Sequence, residues 1–168
     1  MFSGLDISRK SDFKTHLNQY DVIHIDIQWF LANCYNSNKI VSFLSDSVIS
    51  ELRDIYPDIL PLGELSLPDS LSRIKDKTGQ KFIIIIDEWD VLIRDEATNY
   101  YIQNEYINFL RGMFKGTEPT KYIQLAYLTG ILPIKKEKTQ SAVNNLEEFT
   151  MLHSYELAPY IGFTENEV

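Results

Sequence analysis

Apolar and polar positions alternate along residues 22–30. In VIHIDIQWF, Ile23, Ile25, Ile27 and Trp29 fall on one side and His24, Asp26 and Gln28 on the other, which predicts a strand. The period then changes. Leu44, Val48, Leu52 and Ile55 recur at helical spacing and predict a helix over 41–56, stopped by Pro57. After a loop rich in Pro and Gly over 57–63, a shorter helix fits 67–78. Ser66 is placed to cap it, Pro68 is tolerated in its first turn, and Gly79 suits its end. The run Phe82-Ile83-Ile84-Ile85-Ile86 is unbroken, β-branched and followed at once by acids. It predicts a strand over 82–87, apolar on both faces, as central parallel strands are. A helix over 99–114 follows, with Ile102, Tyr106, Leu110 and Met113 on one face and Gly116 beyond its end. Residues 122–128 (YIQLAYL) predict a third strand that runs into Thr129-Gly130, and a short helix is expected near 141–149. Strands separated by helices imply an α/β fold: a three-layer parallel sheet flanked by helices.

Composition narrows the class. With 168 residues, 44% hydrophobic and 24% charged, the chain has room for one domain with a full core, so disorder is excluded. The net charge of −8 argues against general nucleic-acid binding, which needs a positive field. One cysteine, Cys34, allows no internal disulfide and is expected to be a structural thiol. The N-terminal residues lack a signal-peptide pattern, and no apolar run approaches the roughly 20 residues of a membrane span. A cytoplasmic protein without a membrane partner is expected. His16, His24 and His153 are scattered, with no zinc-ligand spacing. Asp12-Phe13-Lys14 has a spacing used by some nucleases but precedes the first strand, so a surface position is expected. No G-x-S-x-G elbow exists. Lys135, Lys136 and Lys138 are expected to form a solvated loop, and Tyr100, Tyr101 and Tyr106 to pack along a helix face.

The chemistry concentrates where the isoleucine run ends in Asp87-Glu88-Trp89-Asp90. Ligands of open α/β sheets sit outside the carboxyl ends of the strands. An Asp there can hold Mg²⁺ beside nucleotide phosphates, and a Glu next to it can orient or deprotonate an attacking water. This is the Walker B arrangement with a catalytic Glu. Thr129, at the tip of the neighbouring strand, stands where ATPases place a γ-phosphate sensor. The plainer reading is that the acids solvate a turn.

FIIIIDEWD, YLTGILPIKK, TQSAVNNLEEFTM and LAPYIGFTENEV, in that order, resemble the bacterial predicted AAA-ATPase-like domain family of P-loop NTPases. Upstream, FSGLDIS, YDVIHIDIQWF and VSFLSDSVISELRDIYPDILP resemble the segment before that family's Walker B strand. The resemblance implies ATP and Mg²⁺ as cofactors and ATP hydrolysis as the activity. By position, Asp87 resembles the Mg²⁺-associated Asp, Glu88 the catalytic Glu, and Thr129 the sensor; all three would face the nucleotide. Asp90 matches the recurring Asp of the family's DE-aromatic-D run, for which a shell or structural role stands beside a catalytic one.

One departure stands against the match. A P-loop is G-x-x-x-x-G-K-[ST], and none of the seven glycines is followed by Lys. The expectation is therefore an incomplete P-loop NTPase-like fold over 1–168 that lacks the first strand and phosphate loop. Thr164-Glu165-Asn166-Glu167 has capping-box spacing just before the last residue, which suggests truncation at that end too. Such a chain alone is expected to bind ATP weakly and hydrolyse none. The missing strand would bare an edge of the 82–86 strand and invite self-association. The alternatives are a non-enzymatic interaction domain on the same scaffold and a metal-dependent nuclease using Asp87 and Glu88.

Overall fold

The structure, a computed structural model, describes residues 4–94, 99–132 and 146–150. After a 3-10 turn at Asp6–Arg9 come α1 (Phe13–His16), β1 (Asp21–Asp26) and α2 (Ile27–Asn33). A second 3-10 turn at Ser37–Lys39 leads into α3 (Ile40–Ile55) and α4 (Leu67–Thr78). Then follow β2 (Phe82–Asp87), α5 (Val91–Arg94), α6 (Tyr100–Phe114), α7 (Pro119–Tyr122) and β3 (Ile123–Leu128). The described fold is α/β.

Local chemistry explains the boundaries. The Ser66 hydroxyl accepts from the Asp69 amide at the start of α4, and Gly79 takes a left-handed φ of 78° at its end. The Asn99 side chain caps α6 by accepting from the Ile102 amide at 3.2 Å. The first strand is shorter than its alternation predicts. The Asp26 carboxylate accepts from the Trp29 amide at 3.0 Å, ends β1 and opens α2. Ile27 and Phe30 are buried on α2, whereas Trp29 is 53% exposed. Residues 146–149 are not helical, and 141–145, where the rest of that expected helix falls, lie outside the described residues. So do Lys135, Lys136, Lys138 and the capping-box sequence at Thr164.

The three strands pair in the order β1-β2-β3, both pairs parallel. β2 is the central strand, as its apolar run requires. Its register sets Ile23 beside Ile84, Ile25 beside Ile86 and Asp26 beside Asp87. On the other side Ile84 meets Ala126 and Ile86 meets Leu128, with an irregularity between Phe82 and Ile83. The expected bare edge on the 82–86 strand is not found. β1 and β3 pair with both of its edges, and the outer edges of the sheet belong to them.

One face of this sheet carries the core. Ile23, Ile25, Phe82, Ile84 and Ile86 pack with buried residues of the three long helices, among them Leu44, Leu52, Leu71, Ile74, Ile102, Tyr106 and Leu110. The opposite face is different. Val22, Leu125 and Tyr127 are about half exposed, and Ile83 and Ile85 stand outside the core cluster. All the long helices therefore share one face, and the described sheet is two-layered rather than three-layered. Two smaller expectations also fail: Ile55 is exposed rather than part of the α3 stripe, and Tyr100 and Tyr101 are exposed while Tyr106 alone is buried. Cys34 is partly buried against the core, with its thiol near the Asn36 carbonyl at 3.1 Å. Asp12 and Lys14 are exposed at the start of α1.

Candidate functional site

The carboxyl ends of β2 and β3 meet through the backbone. The Thr129 amide donates to the Ile86 carbonyl at 2.9 Å, and the Trp89 amide donates back to the Thr129 carbonyl at 2.9 Å. This pairing carries the ladder one step past the strands. It sets the Thr129 hydroxyl against the Asp87 carboxylate, to which it donates a hydrogen bond. Asp87 and Thr129 are both half-buried at the same sheet edge. The same Asp87 oxygen accepts from the Glu88 amide at 3.1 Å.

Glu88 has a φ of 53°, a left-handed conformation that costs a non-glycine residue roughly 1–2 kcal/mol. Such backbone is concentrated at functional sites. It turns the chain sharply after Asp87. The Glu88 carboxylate, 43% exposed, meets the Arg94 guanidinium at 3.0 Å. Arg94 ends α5, a single turn that the sequence pattern is too short to reveal.

Asp90 has a structural task that its sequence position did not disclose. Its side chain is fully buried, and its Oδ2 accepts from the Ile131 amide at 3.2 Å and the Leu132 amide at 2.8 Å. Arg94 Nε lies 3.5 Å from the same oxygen. Asp90 thus ties the turn after β3 to the turn after β2. Gly130 fits between them because it has no side chain: a Cβ there would stand 2.6 Å from the Trp89 ring and 2.7 Å from Asp90 Oδ1. Oδ1 has no hydrogen-bond partner among the described residues, nor has the buried Tyr106 hydroxyl. Burial first, and the Asp90 charge second, push the Tyr106 phenol far above its ordinary range, so it stays neutral.

The structure therefore brings Asp87, Glu88 and Thr129 together and adds Arg94, Asp90 and Gly130. Asp90 and Arg94 stand four apart, a spacing that pairs charges on a helix, but the single turn that brings them together is not legible in the sequence. For Gly130 the sequence offered only a glycine two residues past the end of a strand. The oxygen donors of Asp87, Glu88 and Thr129 suit a hard cation such as Mg²⁺, which binds through one or two carboxylates and completes its shell with water or phosphate oxygens. Among the described residues no group of three or more His, Cys, Asp or Glu side chains could enclose a metal. No helix among them is long and apolar enough to cross a membrane.

The described residues thus form a parallel α/β sheet with paired acids at the carboxyl end of its central strand and a hydroxyl from the next strand beside them. The chain belongs to the predicted AAA-ATPase family, whose match covers residues 1–139. It is also similar, at 26% identity over 91 residues, to the "Uncharacterized protein in vnfD 5'region" of Azotobacter chroococcum mcd 1. That alignment covers 54% of this chain and 17% of the relative, so the chain spans a small part of that protein's length. No solved structure matches.

Proposed function

We propose that the carboxyl edge of β2 and β3 is the metal-and-water half of an ATP-hydrolysing site of P-loop type. The observation that carries this reading is the Thr129 hydroxyl held on the Asp87 carboxylate, with Glu88 turned out beside them. Asp87 would hold Mg²⁺, which when bound neutralises phosphate charge. Glu88 orients the attacking water and accepts its proton. Thr129, fixed through its backbone to Ile86 and Trp89, senses the terminal phosphate with its hydroxyl. Family membership supports the assignment.

The phosphates themselves fit less well. They need backbone amides, a lysine and Mg²⁺ together. The 168 residues contain no G-x-x-x-x-G-K-[ST] segment, and their net charge is −8. The 168-residue chain therefore binds Mg²⁺-ATP weakly and shows no measurable turnover; a second segment carrying that motif must supply the phosphate contacts. Calorimetric titration with Mg²⁺-ATP and a phosphate-release assay test this, on the chain and on a longer protein that includes such a segment. In the longer protein Glu88→Gln keeps binding and abolishes turnover. Tight ATP binding by the 168 residues alone would refute the account. Metal-dependent DNA cleavage without nucleotide would favour a nuclease instead.

The second reading, an interaction domain, is favoured by a separate observation. Val22, Leu125 and Tyr127 expose apolar surface on the sheet face away from the long helices, between the outer edges of β1 and β3. Self-association through this part of the sheet is compatible with either reading.

A further inference from the structure

The proposed water-orienting residue is not idle in this structure, because Glu88 Oε2 already accepts from Arg94 Nη2 at 3.0 Å. A guanidinium on that oxygen competes with a water or a cation for the carboxylate. Among its contacts, Arg94 meets two carboxylates in different environments. Its Nη2 meets Glu88, whose side chain is 43% exposed; its Nε lies 3.5 Å from Asp90, whose side chain is fully buried. Exposed ion pairs are weak and exchange readily with solvent, whereas a buried carboxylate stripped of its partner is strongly unfavourable. The pair with Glu88 is thus the one that breaks first. The pair with Asp90 persists, held in place by the Ile131 and Leu132 amides on the same oxygen. Glu88 follows Asp87 directly in the chain, its amide donates to Asp87 Oδ1 at 3.1 Å, and its backbone is left-handed, with a φ of 53°.

We propose that Arg94 is a positioning residue that occupies Glu88 in the resting chain, and that a divalent cation at the Asp87 edge takes Glu88 over while Arg94 stays on Asp90. The inference rests on the reading of Asp87 and Glu88 as the metal-and-water carboxylates. No bond is made or broken; one electrostatic partner replaces another. Arg94 then acts as a resident counter-ion that keeps cation loading weak.

The test uses Mn²⁺ as the probe, followed by water-proton relaxation on the 168-residue chain, with circular dichroism confirming that each variant is folded. Removing one positive charge next to the acids tightens Mn²⁺ binding about fivefold in Arg94→Gln. Arg94→Lys, which keeps the charge, binds like the unmodified chain. Asp87→Asn loses Mn²⁺ binding. If Asp87→Asn binds Mn²⁺ as well as the unmodified chain, the functional reading itself fails. If Asp87 matters but Arg94→Gln binds no more tightly, the functional reading stands and the inference about Arg94 is overturned. A second measurement needs no variant to fold. In the unmodified chain, the Arg94 Nη nitrogen signals shift as Mg²⁺ is added while the Nε signal stays in place. Nη signals indifferent to saturating Mg²⁺ would overturn the inference equally.

Discussion

At the scale of single residues, close approach decides more than charge does. Gly130 is an exposed glycine whose hydrogen atom lies where a methyl group would strike Trp89 and Asp90. Gly130→Ala must push the two turns apart, at about 1–3 kcal/mol of stability. It should also weaken the contact between Thr129 and Asp87. Urea unfolding and the near-ultraviolet dichroism of the buried Trp89 measure both; a variant equal to the parent in each would remove Gly130 from the account. Asp90→Ala frees the Ile131 and Leu132 amides and strips Arg94 of its buried partner, and should cost about 2–3 kcal/mol in the same urea assay. Tyr56 is a case where pH gives the readout. Its hydroxyl donates to Asp21 Oδ2 at 2.6 Å. Burial first, then the Asp21 bond and charge, push the phenol from 10.0 up to about 12. The neutral form is the one the fold favours, so the contribution is complete below about pH 10 and is lost as pH rises through about 12. Tyr56→Phe should cost about 1 kcal/mol at neutral pH and remove that alkaline step. An unchanged alkaline unfolding profile in Tyr56→Phe would contradict the assignment.

At the scale of elements, what was legible in the sequence is what local chemistry controls. The bounds of α4 follow from Ser66, Pro68 and Gly79, which act within a turn of themselves. Strand β2 follows from an apolar run cut off by two acids. The end of β1 was not legible, because Ile27 and Phe30 fit a helical stripe as readily as Ile23, Ile25 and Ile27 fit a strand. What decides is the Asp26 carboxylate on the Trp29 amide, a contact that alternation does not encode. The single turns α5 and α7 are shorter than the period that would reveal them. In the site, Asp87, Glu88 and Thr129 were legible because strand ends mark a sheet edge. The roles of Arg94 and Asp90 depend on how two turns dock, which no single segment carries. Two cap substitutions check this division. Ser66→Ala and Asp26→Ala should each cost about 1 kcal/mol. The loss in Asp26→Ala should also expose the amides of α2 to hydrogen exchange before those of α3. If α2 amides stay as protected as in the parent, the Asp26 cap does not set the end of β1.

At the scale of the whole molecule, the sequence implied a parallel sheet but not which face it covers. In β2 both faces are isoleucine, so Ile83 and Ile85 are as apolar as Ile84 and Ile86, and composition cannot tell the covered side from the open one. The structure places the long helices on the Ile84 side and leaves Val22, Leu125 and Tyr127 about half exposed on the other. Val22, Leu125 and Tyr127 then expose apolar surface on the two outer strands of this face, and exposed apolar surface favours association. The net charge of −8 opposes it, since two copies repel. These two terms respond differently to salt. Repulsion between exposed charges is screened once the Debye length falls to about 10 Å, near 0.1 M salt, whereas apolar burial is not weakened. Self-association of the 168-residue chain should therefore strengthen as salt rises from about 0.01 M to 0.15 M, opposite to an assembly held by ion pairs. Leu125→Glu together with Tyr127→Glu should leave the chain monomeric at every salt concentration, with a stability change within about 0.5 kcal/mol because both positions are substantially exposed. Sedimentation equilibrium across a salt series, on the chain and on the double variant, measures this. A chain that stays monomeric at high salt, or a double variant that associates like the parent, would show that this face of the sheet does not bind a second copy.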